Sequence, residues 1–184
     1  IRRADLPVKY SAGFHPAPRI SFGDALPLGV SSEAELIDLE LREPCLAQEA
    51  LTRLNRELPE GVEVLAATSW PRKGESPANS LFTATFKVPL PEDTEEHLEK
   101  RLTAFLEQET VLATRMKKDR PVEIDLRPWV HNLKRQGNLL WMDMHCGSPL
   151  FLAAFLLDKD VEEVRSLGIC KTTVELKEQG IELD

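Results

Sequence analysis

Cysteine and histidine are scarce in this chain, and their spacing excludes several kinds of chemistry. Cys45, Cys146 and Cys170 are the three cysteines, and they are widely separated. No CxxC pair exists, and no cysteine cluster on this chain could hold an iron–sulfur group. The four histidines, His15, His97, His131 and His145, share no ligand spacing such as HxxxH or HxH. His145 and Cys146 adjoin, but neighbours on a strand point to opposite faces, so one ion is not expected to take both. No metal site is therefore expected. No apolar run approaches the roughly 20 residues that span a bilayer, and no membrane partner is expected. A Gly-rich phosphate loop opening a helix is missing, as is GxSxG. No acid–base or nucleophile–base pairing is legible, so no catalytic residue is assigned. The odd number of dispersed thiols points to a reducing, cytoplasmic setting.

Hydrophobic residues make up 42% of the chain and charged residues 29%, a balance that fits a globular protein rather than a disordered one. A length of 184 residues leaves room for one large core or two small ones. The net charge of −8 argues against a generic nucleic-acid-coating protein. Charge is nonetheless uneven. Arg2, Arg3, Lys9 and Arg19 face only Asp5 in the first segment. Arg115, Lys117, Lys118, Arg120, Arg127, Lys134 and Arg135 outweigh Asp119, Glu123 and Asp125 in a later one. These segments are either ordinary solvated faces or, if they meet, an anion or RNA-backbone groove. The opening IRRADLPV reads as the last turn of a helix, so the chain is expected to be a C-terminal fragment with a segment upstream.

In ELIDLEL (35–41), Ile37, Leu39 and Leu41 alternate with Asp38 and Glu40, the pattern of a half-buried antiparallel strand. RISFGDALPLGV (19–30) is expected to pair with it, bent at Gly23 and Pro27. Pro44 opens a predicted helix to about Leu58 with the stripe Leu46, Ala50, Leu51, Leu54 and Leu58, stopped by Pro59 and Gly61. VEVLAATSW (62–70) follows as a strand, and PRKGESPANS (71–80) reads as a linker.

The second half opens with a strand in which Phe82, Ala84, Phe86 and Val88 alternate with polar residues. Asp93 and Glu96 make a capping box for a helix carrying Leu98, Leu102, Phe105 and Leu106. Next come a strand at VLATRMK, one extended segment at RPVEIDLRPWVHNLK, and a strand facing Leu140, Met142 and Met144 inward. Ser148-Pro149 starts a short helix, Asp160 and Glu163 repeat the capping box, and KTTVELK closes as a strand. The predicted class is α+β: two tandem ferredoxin-like (βαββαβ-type) units with antiparallel sheets. The first, residues 1–70, lacks its N-terminal strand and helix; 71–80 is the linker; the second spans 81–184.

Residues 10 to 35, YSAGFHPAPRISFGDALPLGVSSEAE, are dense in glycine and proline. Glycine supplies positive φ and proline fixes φ, so such a stretch encodes a defined, irregular path of the kind used for binding loops. Tyr10, Ser11, Gly13, Phe14, His15 and Arg19 are the candidate substrate-binding residues here. An aromatic platform beside a guanidinium and an imidazole suits stacking a base and holding a phosphate. The alternative is that Tyr10, Phe14 and the prolines pack the loop onto its sheet. At least one of Phe14 and Phe22 is expected in a core, since exposing both forgoes their burial energy. Asp125 and Arg127 form a second candidate pair: Pro128 favours an extended Arg127, so the two side chains share a strand face. They pair there, or Arg127 is released to grip a phosphate.

Tyr10-Ser11-x-Gly13-Phe14-x-Pro16-x-Pro18-Arg19, with Ser21-Phe22, Leu26-Pro27-Leu28-Gly29-Val30 and Ser32-Glu33-x-Glu35, resembles an uncharacterised radical-SAM-associated family. Val122-Glu123-Ile124-Asp125-Leu126-Arg127-Pro128 and the stretch from Gly147 to Val174 extend the resemblance along most of the chain. Members of that family are fused to the C-terminus of radical SAM proteins, often with a cobalamin-binding-like domain, or encoded beside them. The resemblance thus implies a radical SAM domain as partner, in cis or in trans, with S-adenosylmethionine and an iron–sulfur cluster on that upstream or partner domain. It also implies a basic residue near Ser148-Pro149 and another near Cys170. The first is missing here and only Lys171 stands at the second, so a polyanion would be bound more weakly or differently.

The expected function is a non-catalytic accessory domain of a radical SAM protein of unestablished activity, presenting an RNA substrate. RNA follows from the family's genomic company with ribosomal proteins and ribonuclease G, and from ferredoxin-like sheets serving as RNA platforms. The alternative is a structural docking or dimerisation module with no ligand of its own, its oligomeric state left open.

Overall fold

The computed structural model describes residues 1–70, 81–92, 94, 98–117 and 120–176. The linker predicted at 71–80, the capping box of Asp93 and Glu96, and the side chain of Phe82 lie outside the described residues. The architecture is mixed α+β, with four α-helices and several sheets among the described residues. The chain divides into two compact units, Ile1–Gly23 with Leu36–Asn79, and Asp24–Glu35 with Ser80–Asp184. Along it come β1 (Ile20–Phe22) in the first unit, β2 (Ser31–Ser32) in the second, then β3 (Ile37–Leu39) and α1 (Ala47–Glu57) back in the first.

In the first unit β1 pairs antiparallel with β3, setting Ile20 opposite Leu39 and Phe22 opposite Ile37. The pairing expected between these two segments is present but short. Just beyond β3, Leu41 makes an isolated antiparallel bridge to Val8 of the preceding segment. The small core is Ala4, Leu6 and Val8, covered by Leu39, Leu41, Cys45, Ala50 and Leu54. Ala50 and Leu54, one turn apart, are the part of the predicted helix stripe that reaches it. The helix starts at Ala47 rather than Pro44, and Leu46 at its N-cap is exposed.

VEVLAATSW is not a strand: no residue from 62 to 70 is in a sheet. Asn55 on α1 takes both backbone groups of Val64 instead, its Nδ2 donating to the carbonyl at 2.9 Å and its Oδ1 accepting from the N–H at 2.7 Å. A side-chain amide thus satisfies the donor and acceptor that a ladder would have used. The order strand, strand, helix, strand is therefore not completed in this unit.

The second unit continues with β4 (Leu81–Pro89), α2 (Leu98–Glu107), β5 (Leu112–Lys117), β6 (Arg120–Asp125), β7 (Val130–Gln136), β8 (Leu139–Met144), α3 (Pro149–Leu157), α4 (Val161–Arg165) and β9 (Cys170–Leu176). Its sheet has the order β2-β9-β4-β8-β7. β2 runs parallel to β9, and the other neighbours are antiparallel. β5 and β6 form a separate antiparallel hairpin.

Local sequence explains most of these elements. On β8, Leu140, Met142 and Met144 are all at most 2% exposed, as their alternation predicts. Leu98, Leu102 and Phe105 of α2 are buried against the same core. α3 is apolar on every side and buries Leu150, Leu152, Ala153, Ala154 and Leu156. Ser148 caps it, its hydroxyl accepting from the Phe151 N–H at 3.3 Å. Glu163 accepts from the Asp160 N–H at 2.9 Å, completing the capping box of α4.

The stretch expected to be extended from 120 to 134 is broken. Leu126 turns into the right-handed region, fully buried, and Arg127–Trp129 forms a 3₁₀ turn between β6 and β7. No helix among the described residues is long and apolar enough to cross a membrane.

Candidate functional site

The Gly/Pro-dense loop of the first unit is a hairpin. Tyr10 bridges Pro18, the Ser11 N–H donates to the Ala17 carbonyl at 2.8 Å, and the Arg19 N–H donates to the Lys9 carbonyl at 2.8 Å. The Ser11 hydroxyl in turn accepts from the Ala17 N–H at 3.0 Å. Gly13 has φ +125°, a conformation that L side chains rarely adopt, although the space around it is open. Glycine there serves the turn, not a close contact.

These bonds hold the tip outward. Phe14 is 101% exposed and Phe22 on β1 is 64% exposed, so neither phenylalanine is core. The three-residue β1 and β3 form a two-stranded ribbon, and the small core recruits Ala4, Leu6 and Val8 in their place. Tyr10 is 39% exposed, and His15 beside Phe14 is exposed as well.

Below the tip, the cations of the loop are shared by one carboxylate. Lys9 Nζ lies 3.0 Å and Arg19 Nη1 3.2 Å from Glu40. The Lys9 hydrogen bond, then that from Arg19, hold the Glu40 carboxyl below its ordinary range. The tip itself, from Ala12 to Ala17, carries no Lys, Arg, Asp or Glu.

Asp125 and Arg127 belong to the second unit, and their side chains do not pair with each other. Asp125 Oδ1 accepts from the Val111 N–H at 2.9 Å and from the Arg127 N–H at 3.0 Å. Arg127 Nη1 donates to the Val130 carbonyl at 2.8 Å. The turn at Leu126 takes Arg127 off the strand face that Asp125 occupies, so each side chain ties down backbone instead. Six of the eight candidate residues thus share one hairpin, and two form a structural clasp.

His145 and Cys146 follow the end of β8 rather than lying on it. Burial, and next the charge of Asp24, push the Cys146 thiol up, which favours the less reactive protonated form. The His131 and His145 rings meet edge to face with centroids 5.2 Å apart. Among the described residues no group of three His, Cys, Asp or Glu side chains could hold a metal ion. Lys171, the basic residue near Cys170, is 5% exposed and pairs with Glu35 at 2.6 Å, so it is not available to a polyanion.

A feature that sequence reading missed lies in the second unit. A cleft of about 400 Å³ is lined by Arg115, Met116, Ser148, Phe151, Arg165 and Leu28, among others. The region beside Ser148-Pro149, which lacks a basic residue in sequence, thus faces arginines brought in from β5 and α4. Arg115 was legible only as part of a basic stretch; Arg165 carried no signal beyond ending a helix.

A family model described as an uncharacterized protein conserved in bacteria (DUF2344) matches residues 1–165. No curated protein matches the chain.

Proposed function

Since the chain belongs to this family of uncharacterized bacterial proteins, DUF2344, we propose a function from its own surface: it is a non-catalytic accessory module that docks through its Phe14 hairpin onto a protein partner. The partner in this reading is the radical SAM domain implied by the sequence resemblance, in cis or in trans. S-adenosylmethionine and the cluster stay with that domain, because Cys45, Cys146 and Cys170 are too dispersed in sequence to hold one here. A cytoplasmic setting belongs to the same reading, supported by three free thiols.

The observation that carries it is Phe14, fully exposed at the tip of an internally bonded loop. Covering a phenylalanine side chain is worth roughly 1.5–3 kcal/mol. A loop already fixed in shape loses little conformational freedom on docking. The uncharged tip favours an apolar socket, since Lys9 and Arg19 are engaged by Glu40 behind it. RNA is the second reading, favoured by the rings of Tyr10, Phe14 and His15 on one hairpin, which suit base stacking.

The test is a titration of the chain against its radical SAM domain, with a parallel filter-binding titration against cellular RNA at low and moderate salt. Docking predicts saturable binding to the domain that is lost in Phe14→Ala. Unchanged binding by that variant overturns it. Salt-dependent RNA binding weakened by both Phe14→Ala and Arg19→Ala would move the assignment to RNA.

We also infer a ferredoxin-like identity for the second unit. What supports it is the order β9-β4-β8-β7 with antiparallel neighbours. Helix α2 falls between β4 and β7, and helices α3 and α4 fall between β8 and β9. Counted without the β5–β6 hairpin, that is a βαββαβ chain in the spatial order fourth, first, third, second.

A further inference from the structure

The cleft of the second unit combines features that the hairpin reading does not use. Its volume of about 400 Å³ falls within the range of small-molecule sites, roughly 300–1,000 Å³. Two arginines line it. Arg115 lies over the Phe151 ring, 5.8 Å from the centroid, and makes no ion pair among the described residues. Arg165 Nη1 pairs with Glu162 at 2.6 Å, but its Nε–H is buried without an acceptor among the described residues. Buried donors are nearly always bonded, so an unpaired one beside a cleft calls for an explanation.

The cleft is also held in shape. Pro27 and Leu28 on its wall belong to the segment Asp24–Glu35, which is tied down on both sides of β2. The Ser31 N–H donates to the Ile169 carbonyl at 2.9 Å and the Glu33 N–H to the Lys171 carbonyl at 2.8 Å. Glu33 and Glu35 pair with Lys87 at 2.9 Å and Lys171 at 2.6 Å. Gly29 lets the segment lie on Arg165: a Cβ there would sit 2.3 Å from Arg165 Cγ. The arginine stem is thereby pinned. Around the two cations are apolar groups facing water, with Leu28 86% and Met116 63% exposed.

We propose that this cleft binds a small phosphorylated ligand with an aromatic body. The phosphate is taken by Arg115 and Arg165, and the body covers Met116 and Leu28. Phosphate fits better than carboxylate because one arginine satisfies a carboxylate bidentately, whereas a phosphate has oxygens for two. Glu162, with its side chain 75% exposed, can turn into water as the ligand takes its place on Arg165.

The test is calorimetric titration of the chain with adenosine 5′-monophosphate, adenosine and inorganic phosphate. The nucleotide is expected to bind saturably, with adenosine and inorganic phosphate each at least about tenfold weaker. Arg115→Ala should weaken nucleotide binding by about tenfold or more, as loss of a charge-assisted hydrogen bond does, and Arg115→Lys by less. Among the described residues the Arg115 side chain makes only a ring contact, so Arg115→Ala is expected to stay folded where Arg165→Ala would loosen the segment at Gly29. Phe14→Ala should bind the nucleotide like the unsubstituted chain, which separates this site from the hairpin. No saturable binding at about tenfold above a millimolar Kd, equal affinity for nucleotide and adenosine, or an unaffected Arg115→Ala each overturns the assignment.

Discussion

Gly147 lies against the face of Trp129: a Cβ on this glycine would sit 2.3 Å from two atoms of the indole. The same two turns are joined by the His145 N–H, which donates to the Trp129 carbonyl at 2.8 Å. Gly147 also has φ +88°, so both its backbone and its missing side chain are required. This packing sets the end of β8 and the start of α3, from which Ser148 and Phe151 reach the cleft.

Gly147→Ala should destabilise the second unit on both counts. The backbone conformation costs about 1–2 kcal/mol for an L residue, and overpacking against the ring adds about 1–3 kcal/mol. Gly137→Ala, at φ +60° with no described atom within 4 Å of the added Cβ, should show only the backbone part. Urea unfolding of both variants measures the difference; equal losses would mean that Trp129 moves aside freely.

Phe14→Ala should leave stability within about 0.5 kcal/mol, as exposed substitutions do. A Phe buried in a core would cost about 3–5 kcal/mol on truncation. Thermal melts settle the matter, and a loss of that size would show that Phe14 packs onto the protein in solution.

Asp125→Ala should cost about 1–3 kcal/mol, because the Val111 and Arg127 N–H groups lose their acceptor in a partly buried place. Asp125→Asn retains an oxygen and should recover most of the loss. Arg127→Ala should leave RNA or nucleotide binding unchanged, since its guanidinium serves the Val130 carbonyl.

Acid should weaken one of the ties on the segment Asp24–Glu35, the Glu33–Lys87 pair. The hydrogen bond and the charge of Lys87 hold the Glu33 carboxyl below its ordinary range. A depressed folded pKa stabilises above the unfolded value, and that contribution is lost as pH falls through the folded one. Glu33→Gln should therefore flatten the stability profile below the ordinary carboxylate range and leave the acid limb otherwise intact. The raised Lys87 ammonium predicts the opposite limb: its contribution is present below the ordinary lysine value and fades as pH rises through the folded one. Chemical denaturation across pH reads both limbs, and identical profiles for Glu33→Gln and the unsubstituted chain would exclude the link.

Leu140→Ala should cost about 2–5 kcal/mol, the range for a fully buried leucine. A loss below about 1 kcal/mol would mean that the sheet closes over the cavity.

What the sequence determined by itself was whatever rests on near neighbours. The alternation at Leu140, Met142 and Met144, the Ser148-Pro149 cap, the Asp160 and Glu163 box and the stripe on α2 are set by periods of two and 3.6 and by bonds a few residues long. They recur in the structure because their partners are local. The loop at Gly13 was legible as irregular for the same reason, whereas the exposure of Phe14 was not: that depends on whether a surface elsewhere offers to cover it.

Tertiary structure alone decided the long-range pairings. Asn55 satisfied both backbone groups of Val64, and so the strand pattern of VEVLAATSW went unused. Asp125 found the Val111 N–H, 14 residues away, and a strand face became a clasp. Ser31–Ser32 paired with β9 across most of the chain, which stacked Gly29 on Arg165 and put Pro27 and Leu28 on the wall of the cleft with Arg115 and Arg165. Such contacts cost loop-closure entropy before they return any energy. They are fixed by the best of many competing partners, a choice that no local window of residues contains.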